Sequence, residues 1–297
     1  MTRPGFLSAT VVACALGIAA ASAMPGAALD PWRVAATLLL AAIAHASANV
    51  INDYYDDRNG ADAANTGRIY PFTGGARFIQ QRQVSATDTH RYALLLLAVV
   101  ISGGSWLALT SGPGLLAIGA AGLAIGWAYS APPLQLMSRG LGEAAVALAW
   151  SLIVVGAAFV QSGHFDKLPL LCSLSYGLMA ANILMINGFP DAASDARVGK
   201  RTMIVRLGPT GAAIAYGVIA LAAHVLLATL VLLSAIPAAS LWGLLSLPFS
   251  LMAMAILWTE RDTPYNLRPA IRLTIIAALL HGAAQAAGLL LMRSGAF

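Results

Sequence analysis

Asn49-Val-Ile-Asn-Asp-Tyr-Tyr-Asp-Asp-Arg-Asn-Gly-Ala-Asp62 closes an apolar run long enough to cross a bilayer. If the helix of that run continues into this stretch, Asn49, Asn52, Asp53 and Asp56 fall on one face, because positions three and four apart are neighbours. Carboxylates at the end of a membrane helix need a compensating cation or a wet cavity. A second stretch mirrors the first: Asn187-Gly-Phe-Pro-Asp191-Ala-Ala-Ser-Asp195 also ends an apolar run and carries two aspartates four apart. Two facing groups of acids at one membrane surface point to a divalent-metal site.

Composition sets the frame for this reading. Of 297 residues, 59% are hydrophobic and only 10% charged, against roughly 25% charged in a soluble domain. Mean hydropathy is +0.77. The chain reads as an all-α, polytopic membrane protein, with residues 1–297 forming one integral-membrane domain. Its net charge of +5 is not a nucleic-acid footprint, since no basic stripe or aromatic-basic interleaving occurs. Cys14 and Cys172 both sit in apolar runs without metal-ligand spacing and read as buried packing residues. Arg3, an apolar run and Ala21-Ser-Ala imitate a signal peptide, but the run is long and another membrane segment follows at once, so it is read as the first membrane helix.

Segments of near-spanning length occur at about 6–25, 33–52, 91–111, 114–130, 142–161, 169–188, 211–234, 238–258 and 270–292, which predicts nine transmembrane helices. With the N-terminus inside, Arg3, Arg58, Arg68, Arg77, Arg82, Arg91, Arg139, Arg197, Lys200, Arg201, Arg206, Arg261, Arg268 and Arg272 are cytoplasmic. Only Arg33, Lys167 and Arg293 then lie outside, and the positive-inside rule selects this orientation. The aspartate-rich stretches share the cytoplasmic face, and the two polar loops expected at 53–90 and 189–210 lie there too.

Acid groups facing cationic loops fit a diphosphate held through Mg²⁺. This ion takes hard oxygen ligands, keeps several waters and bridges carboxylates to substrate phosphates. Lysine and arginine neutralise diphosphate oxygens directly, and aromatic faces shield an allylic carbocation; Tyr54, Tyr55, Phe72 and Tyr129 are the candidates. Lone inner arginines (Arg58, Arg82, Arg91, Arg261, Arg268) read as solvated anchors, as does Asp57. His45 reads either as lining the site or as a satisfied core histidine. His281 and Gln285 read as interhelical hydrogen-bonding residues.

Taken together, the two aspartate stretches, Tyr129-Ser-Ala-Pro-Pro and Gly199-Lys-Arg-Thr-Met-Ile-Val-Arg-Leu-Gly208 resemble the UbiA superfamily of intramembrane prenyltransferases. Asp56 followed by Gly60 and Asp62, with Arg139-Gly-Leu-Gly-Glu143, is most similar to the menaquinone branch, which acts on 1,4-dihydroxy-2-naphthoate. Two departures concern the acceptor: Arg68-Ile-Tyr-Pro-Phe-Thr-Gly-Gly-Ala-Arg77 replaces a common Arg-x-Gly-Pro-x-Arg, and Phe189-Pro-Asp191 replaces Ile/Leu-Arg-Asp. The resemblance implies Mg²⁺-dependent transfer of a prenyl group from a polyprenyl diphosphate to an aromatic acceptor. It implies that Asn52, Asp56, Asp191 and Asp195 hold Mg²⁺ and diphosphate, the three aspartates being the catalytic set. Asn49, Asp53, Asp62, Arg77, Tyr129, Arg139 and Lys200 are expected to bind substrate. We expect a multi-pass protein of a bacterial inner membrane, its active site facing the cytoplasm, with no nucleic-acid and no obligatory protein partner. The alternatives are another acceptor, such as 4-hydroxybenzoate, phytyl or geranylgeranyl transfer, or an archaeal-type lipid ether synthase. Outside enzymes the rival is an ion-coupled transporter, which would place such acids near the bilayer midplane on broken helices.

Overall fold

The computed structural model describes residues 1–24, 26 and 28–293, without the side chain of Arg293. Pro25, at the end of the first predicted segment, lies outside the described residues, and the outer-side expectation for Arg293 rests on a side chain that is not described. The helices are α1 (Pro4–Ser22), α2 (Pro31–Asn59), the short α3 (Ala61–Ala64), α4 (Ala86–Ser111), α5 (Gly114–Ser130), α6 (Gly142–Ser162), α7 (Lys167–Arg197), α8 (Met203–Leu232), α9 (Leu247–Glu260) and α10 (Arg268–Arg293). Among the described residues, eight helical spans are long and apolar enough to cross a membrane, and α5, with 17 residues, is a shorter apolar helix. The chain is an all-α integral membrane protein.

Each predicted segment holds a helix, but the polar ends differ from expectation. Hydropathy marks only the apolar part of a helix, so the two long polar loops are expected to begin too early. Helix α2 runs on to Asn59, where Gly60 at φ 82° supplies the left-handed residue that ends it. Helix α7 continues through Pro190 to Arg197. Pro190 removes one backbone hydrogen bond, but Met185, Ile186 and Phe189 are locked in a buried cluster with Ile204, Tyr216 and Ile271, which holds the helix across that gap. The segment expected at 238–258 is also not one helix. Residues Ala238–Ser246 form tighter 3-10 turns, and α9 restarts at Leu247, with Pro248 in its first turn.

Helix α7 is the central strut. It is 72% buried within its membrane window, whereas α4 is 17% buried and faces outward along most of its length. Close approach to α6 depends on Gly177, where a side chain would strike the Ala147 carbonyl. Away from the two aspartate stretches, Ser246 bridges His224 and His281, and His281 and Gln285 both reach Ser175, so these two residues join helices as the sequence suggested. Cys14 and Cys172 are free and buried, also as expected.

Candidate active site

Extension of α2 and α7 past their apolar runs brings the two aspartate stretches together. Lys200, just beyond α7, lies between them: its Nζ is 2.9 Å from Asp56 Oδ1 and 3.1 Å from Asp195 Oδ1. All three side chains are largely buried. Burial alone would lower the lysine pKa, but the carboxylates of Asp56 and Asp195 outweigh it and raise it above the ordinary value. Asn52 donates to Asp56 Oδ2 (3.1 Å) and Asn59 donates to Oδ1 (3.2 Å), so the Asp56 carboxylate is held from three sides.

The loop after α3 completes the other half. Asn65 donates to Asp191 Oδ1 at 2.6 Å and the Gly74 backbone N–H donates to Oδ2 at 3.3 Å. Gly75, at φ 64°, lets the loop pass against Asp62; a Cβ there would land on the Asp62 carboxylate. Burial, then the like charges of Asp56 and Asp53, push the Asp62 carboxyl up to about 7 against the opposing pull of Arg3 and Lys200.

Asn49, Asn52, Asp56, Asp62, Tyr129, Asp191, Asp195 and Lys200 all line one cavity of about 740 Å³. Asp53, Arg77 and Arg139 do not, although all three were expected to bind substrate. Successive helical residues are about 100° apart, which puts Asn52 and Asp53 on opposite flanks of the stripe centred on Asn49 and Asp56. The cavity takes the Asn52 flank. Asp53 faces Arg3 instead, bonding its guanidinium at 2.5 Å. Arg77 spends a guanidinium nitrogen on the Asp62 carbonyl (3.0 Å) and Arg139 on the Pro133 carbonyl (2.8 Å). Of the candidate cation-shielding aromatics, Phe72 and Tyr129 line the cavity. Tyr54 and Tyr55 pack together away from it, edge-to-face at 5.0 Å.

Sequence reasoning missed Arg3 and Asn65. Arg3 also donates to Asn52 Oδ1 at 3.1 Å, so a chain of contacts runs Arg3–Asn52–Asp56–Lys200–Asp195. Neither residue lies in a motif; only the paired glycines at 74 and 75 hinted that the loop folds back. His45 satisfies both expectations for it: it pairs with Thr10 Oγ1 at 2.7 Å, packs edge-on to Trp150, and lines the cavity. Beyond these polar groups the cavity is apolar, walled by Leu97, Val100, Leu116, Ile118, Leu123 and Ile153.

A buried acid–cation cluster capping a long apolar cavity is the layout the motifs implied, and the UbiA prenyltransferase family model matches residues 10–287. The chain belongs to the UbiA prenyltransferase family. It is 29% identical to the 1,4-dihydroxy-2-naphthoate octaprenyltransferase of Mycobacterium leprae over 89% of this chain and 86% of that protein. Its fold is similar to that of an apo UbiA homolog from Aeropyrum pernix, with TM-score 0.68 and 18% identity over 93% of this chain and 96% of that one. It is also similar to a UbiA homolog from Archaeoglobus fulgidus bound to GPP and Mg²⁺, with TM-score 0.63 and 17% identity over 97% and 100% of the two chains. In this UbiA chain the first aspartate stretch runs from α2 into α3, the second lies on α7, and the apolar wall is built by α2, α4, α5 and α6.

Proposed function

We propose that this UbiA enzyme transfers a prenyl group from a polyprenyl diphosphate to 1,4-dihydroxy-2-naphthoate, in menaquinone synthesis and with Mg²⁺. The observation that carries the reading is the division of one cavity into a carboxylate–lysine end and an apolar remainder. An amphiphile with a highly charged head and a hydrocarbon tail matches that division. The relative from Mycobacterium leprae supports the choice of acceptor.

The donor set fits Mg²⁺, because Asp56, Asp191 and Asp195 offer hard carboxylate oxygens, with Asn52 and Asp62 close by. Among the described residues, no three acids, imidazoles or thiols converge to cage an ion unaided. Such a site suits an ion that retains waters and takes its remaining ligands from substrate phosphate. Bound there, Mg²⁺ supplies neutralisation of the charge that builds on the departing diphosphate. Lys200 adds a cation to the same end, and Asn65 and the Gly74 N–H aim Asp191. Phe72 and Tyr129 line the same cavity and supply the aromatic rings that shield positive charge at C1 of the prenyl group. The apolar wall holds the tail and keeps water from the reacting carbon. Asn49, bonded to the Thr2 carbonyl at 3.1 Å, contributes its remaining polar atom to the cavity wall. The basic-residue bias supports a cytoplasmic active site in a bacterial inner membrane, with residues 1–297 acting as one unit.

The test is a membrane assay with Mg²⁺, labelled polyprenyl diphosphate, and 1,4-dihydroxy-2-naphthoate or 4-hydroxybenzoate in parallel. Product with the naphthoate is expected, and loss of at least ~100-fold in Asp191→Asn, in line with removal of a charge-stabilising group. Product with the benzoate alone would overturn the acceptor assignment.

A further inference from the structure

One carboxylate in the cavity belongs to neither aspartate stretch. Glu143 sits in the first turn of α6, is 8% exposed, and lines the cavity. Its carboxylate makes no hydrogen bond or ion pair to another residue among those described, turning only toward its own backbone N–H. Nearby cations are engaged elsewhere: Lys200 by Asp56 and Asp195, Arg139 by the Pro133 carbonyl, and Arg206 by the Arg201 carbonyl. A buried acid of this kind is costly unless something satisfies it, and the open side of Glu143 is the cavity. The start of α6 gives its charge partial support from the helix dipole.

Its neighbours make this spot different from the diphosphate end. A Cβ built on Gly142 would lie 3.5 Å from Tyr129 Cε2 and 3.1 Å from Leu184 Cδ2, so an aromatic ring and an aliphatic side chain flank the turn that carries Glu143. Asn187, one turn from Asp191 on α7, also lines the cavity, and its buried Oδ1 has no hydrogen-bond partner. An aromatic ring, an apolar side chain and an unpartnered acid are the elements of a pocket for a hydroxylated aromatic ring. They are not those of a phosphate site, which an anion would repel.

We propose that Glu143 is the base that takes the ring-hydroxyl proton of the acceptor, with Tyr129 flanking the bound ring. This rests on the prenyl-transfer reading above. As the hydroxyl proton moves to Glu143, oxygen electrons enter the ring and a ring carbon bonds to C1 of the prenyl group. The C1–O bond breaks and diphosphate leaves with the electron pair. The resulting ring ketone then loses its ring proton to the departed diphosphate and regains the hydroxyl proton from Glu143, so the carboxylate ends unchanged. A negative Glu143 also turns the acceptor's own carboxylate away and selects the hydroxyl remote from it.

The experiment compares wild type with Glu143→Gln, in Mg²⁺ and labelled polyprenyl diphosphate, using two acceptors. One acceptor has a hydroxyl that is neutral at the assay pH; the other carries electron-withdrawing groups and is already ionised. Loss of at least ~100-fold is expected with the neutral acceptor, the usual contribution of a general base, and less than ~5-fold with the ionised one, which needs no base. Glu143→Asp should recover part of the neutral-acceptor rate, and Mg²⁺-dependent binding of the prenyl diphosphate should stay within twofold of wild type in both variants. Equal losses with both acceptors, unchanged rates with both, or lost prenyl-diphosphate binding would overturn the role of Glu143. Wild-type inactivity toward every hydroxylated acceptor would instead overturn the prenyl-transfer reading beneath it.

Discussion

Replacing Lys200 with methionine removes the ammonium that lies 2.9 Å from Asp56 and 3.1 Å from Asp195 and leaves both carboxylates without a cation between them. Breaking a buried pair from one side typically destabilises by about 3–5 kcal/mol. A second route gives a similar figure. The stranded acids are relieved if one takes up a proton, and at pH 7, about three units above the carboxylate reference value, that requires about 4 kcal/mol. The wild-type lysine is raised above its ordinary pKa, so its own titration takes nothing from the contribution below about pH 10 and removes it only as pH rises through the raised value. The pH dependence of the variant therefore comes from the acids: at pH 5 its deficit should shrink to about 1–2 kcal/mol. Thermal unfolding in detergent without divalent ions should show a midpoint about 5–15 °C below wild type at pH 7. Mg²⁺ should recover more of it in the variant than in wild type, since the ion then has two unshared carboxylates. A midpoint within about 2 °C of wild type at pH 7, with an identical Mg²⁺ response, would refute the bridging role of Lys200.

Three further outcomes follow from the same geometry. Asn65→Ala removes the 2.6 Å hydrogen bond to Asp191, a charged-group bond worth about 1.5–3 kcal/mol, so the Mg²⁺ concentration for half-maximal transfer should rise about 10–100-fold. Because the Asp62 carboxyl is held near about 7, it is mostly protonated below that pH and charged above it; apparent Mg²⁺–diphosphate affinity should rise with pH between about 6 and 8, and Asp62→Asn should flatten the titration. Gly119 is on the cavity wall and a side chain there meets open space, so Gly119→Phe should leave the unfolding midpoint unchanged. It should reduce transfer from long prenyl diphosphates by at least ~10-fold relative to short ones, through crowding of the tail.

The membrane fold was legible because spans are apolar and their polar ends are not, and a helix through Asp56 already placed an acid stripe at one face. Pairing of that stripe with Asp191 and Asp195 was inferred from charge alone and holds in the structure through Lys200. What the sequence did not carry was direction. Asp53 and Asn52 are adjacent, so a stripe wide enough to include both faces two ways, and the fold turns Asp53 toward Arg3 and the N-terminal amine. Arg77 and Arg139 have long side chains that serve equally well as phosphate ligands or as caps for a carbonyl, and each takes the carbonyl. Asn65 reaches Asp191 across 126 residues of chain through a glycine-paired loop, a contact with no local signature. Glu143 was visible only as part of a motif. Its lack of a partner emerges once the cavity is formed.

The most direct test of the account is binding of a labelled polyprenyl diphosphate to the purified protein with and without Mg²⁺, in wild type and in Asp56→Asn and Asp191→Asn. The account predicts Mg²⁺-dependent binding in wild type and its loss in both variants, with each variant retaining the wild-type fold by circular dichroism. Binding that ignores Mg²⁺, or that persists unchanged in either variant, would contradict a diphosphate site built from α2 and α7.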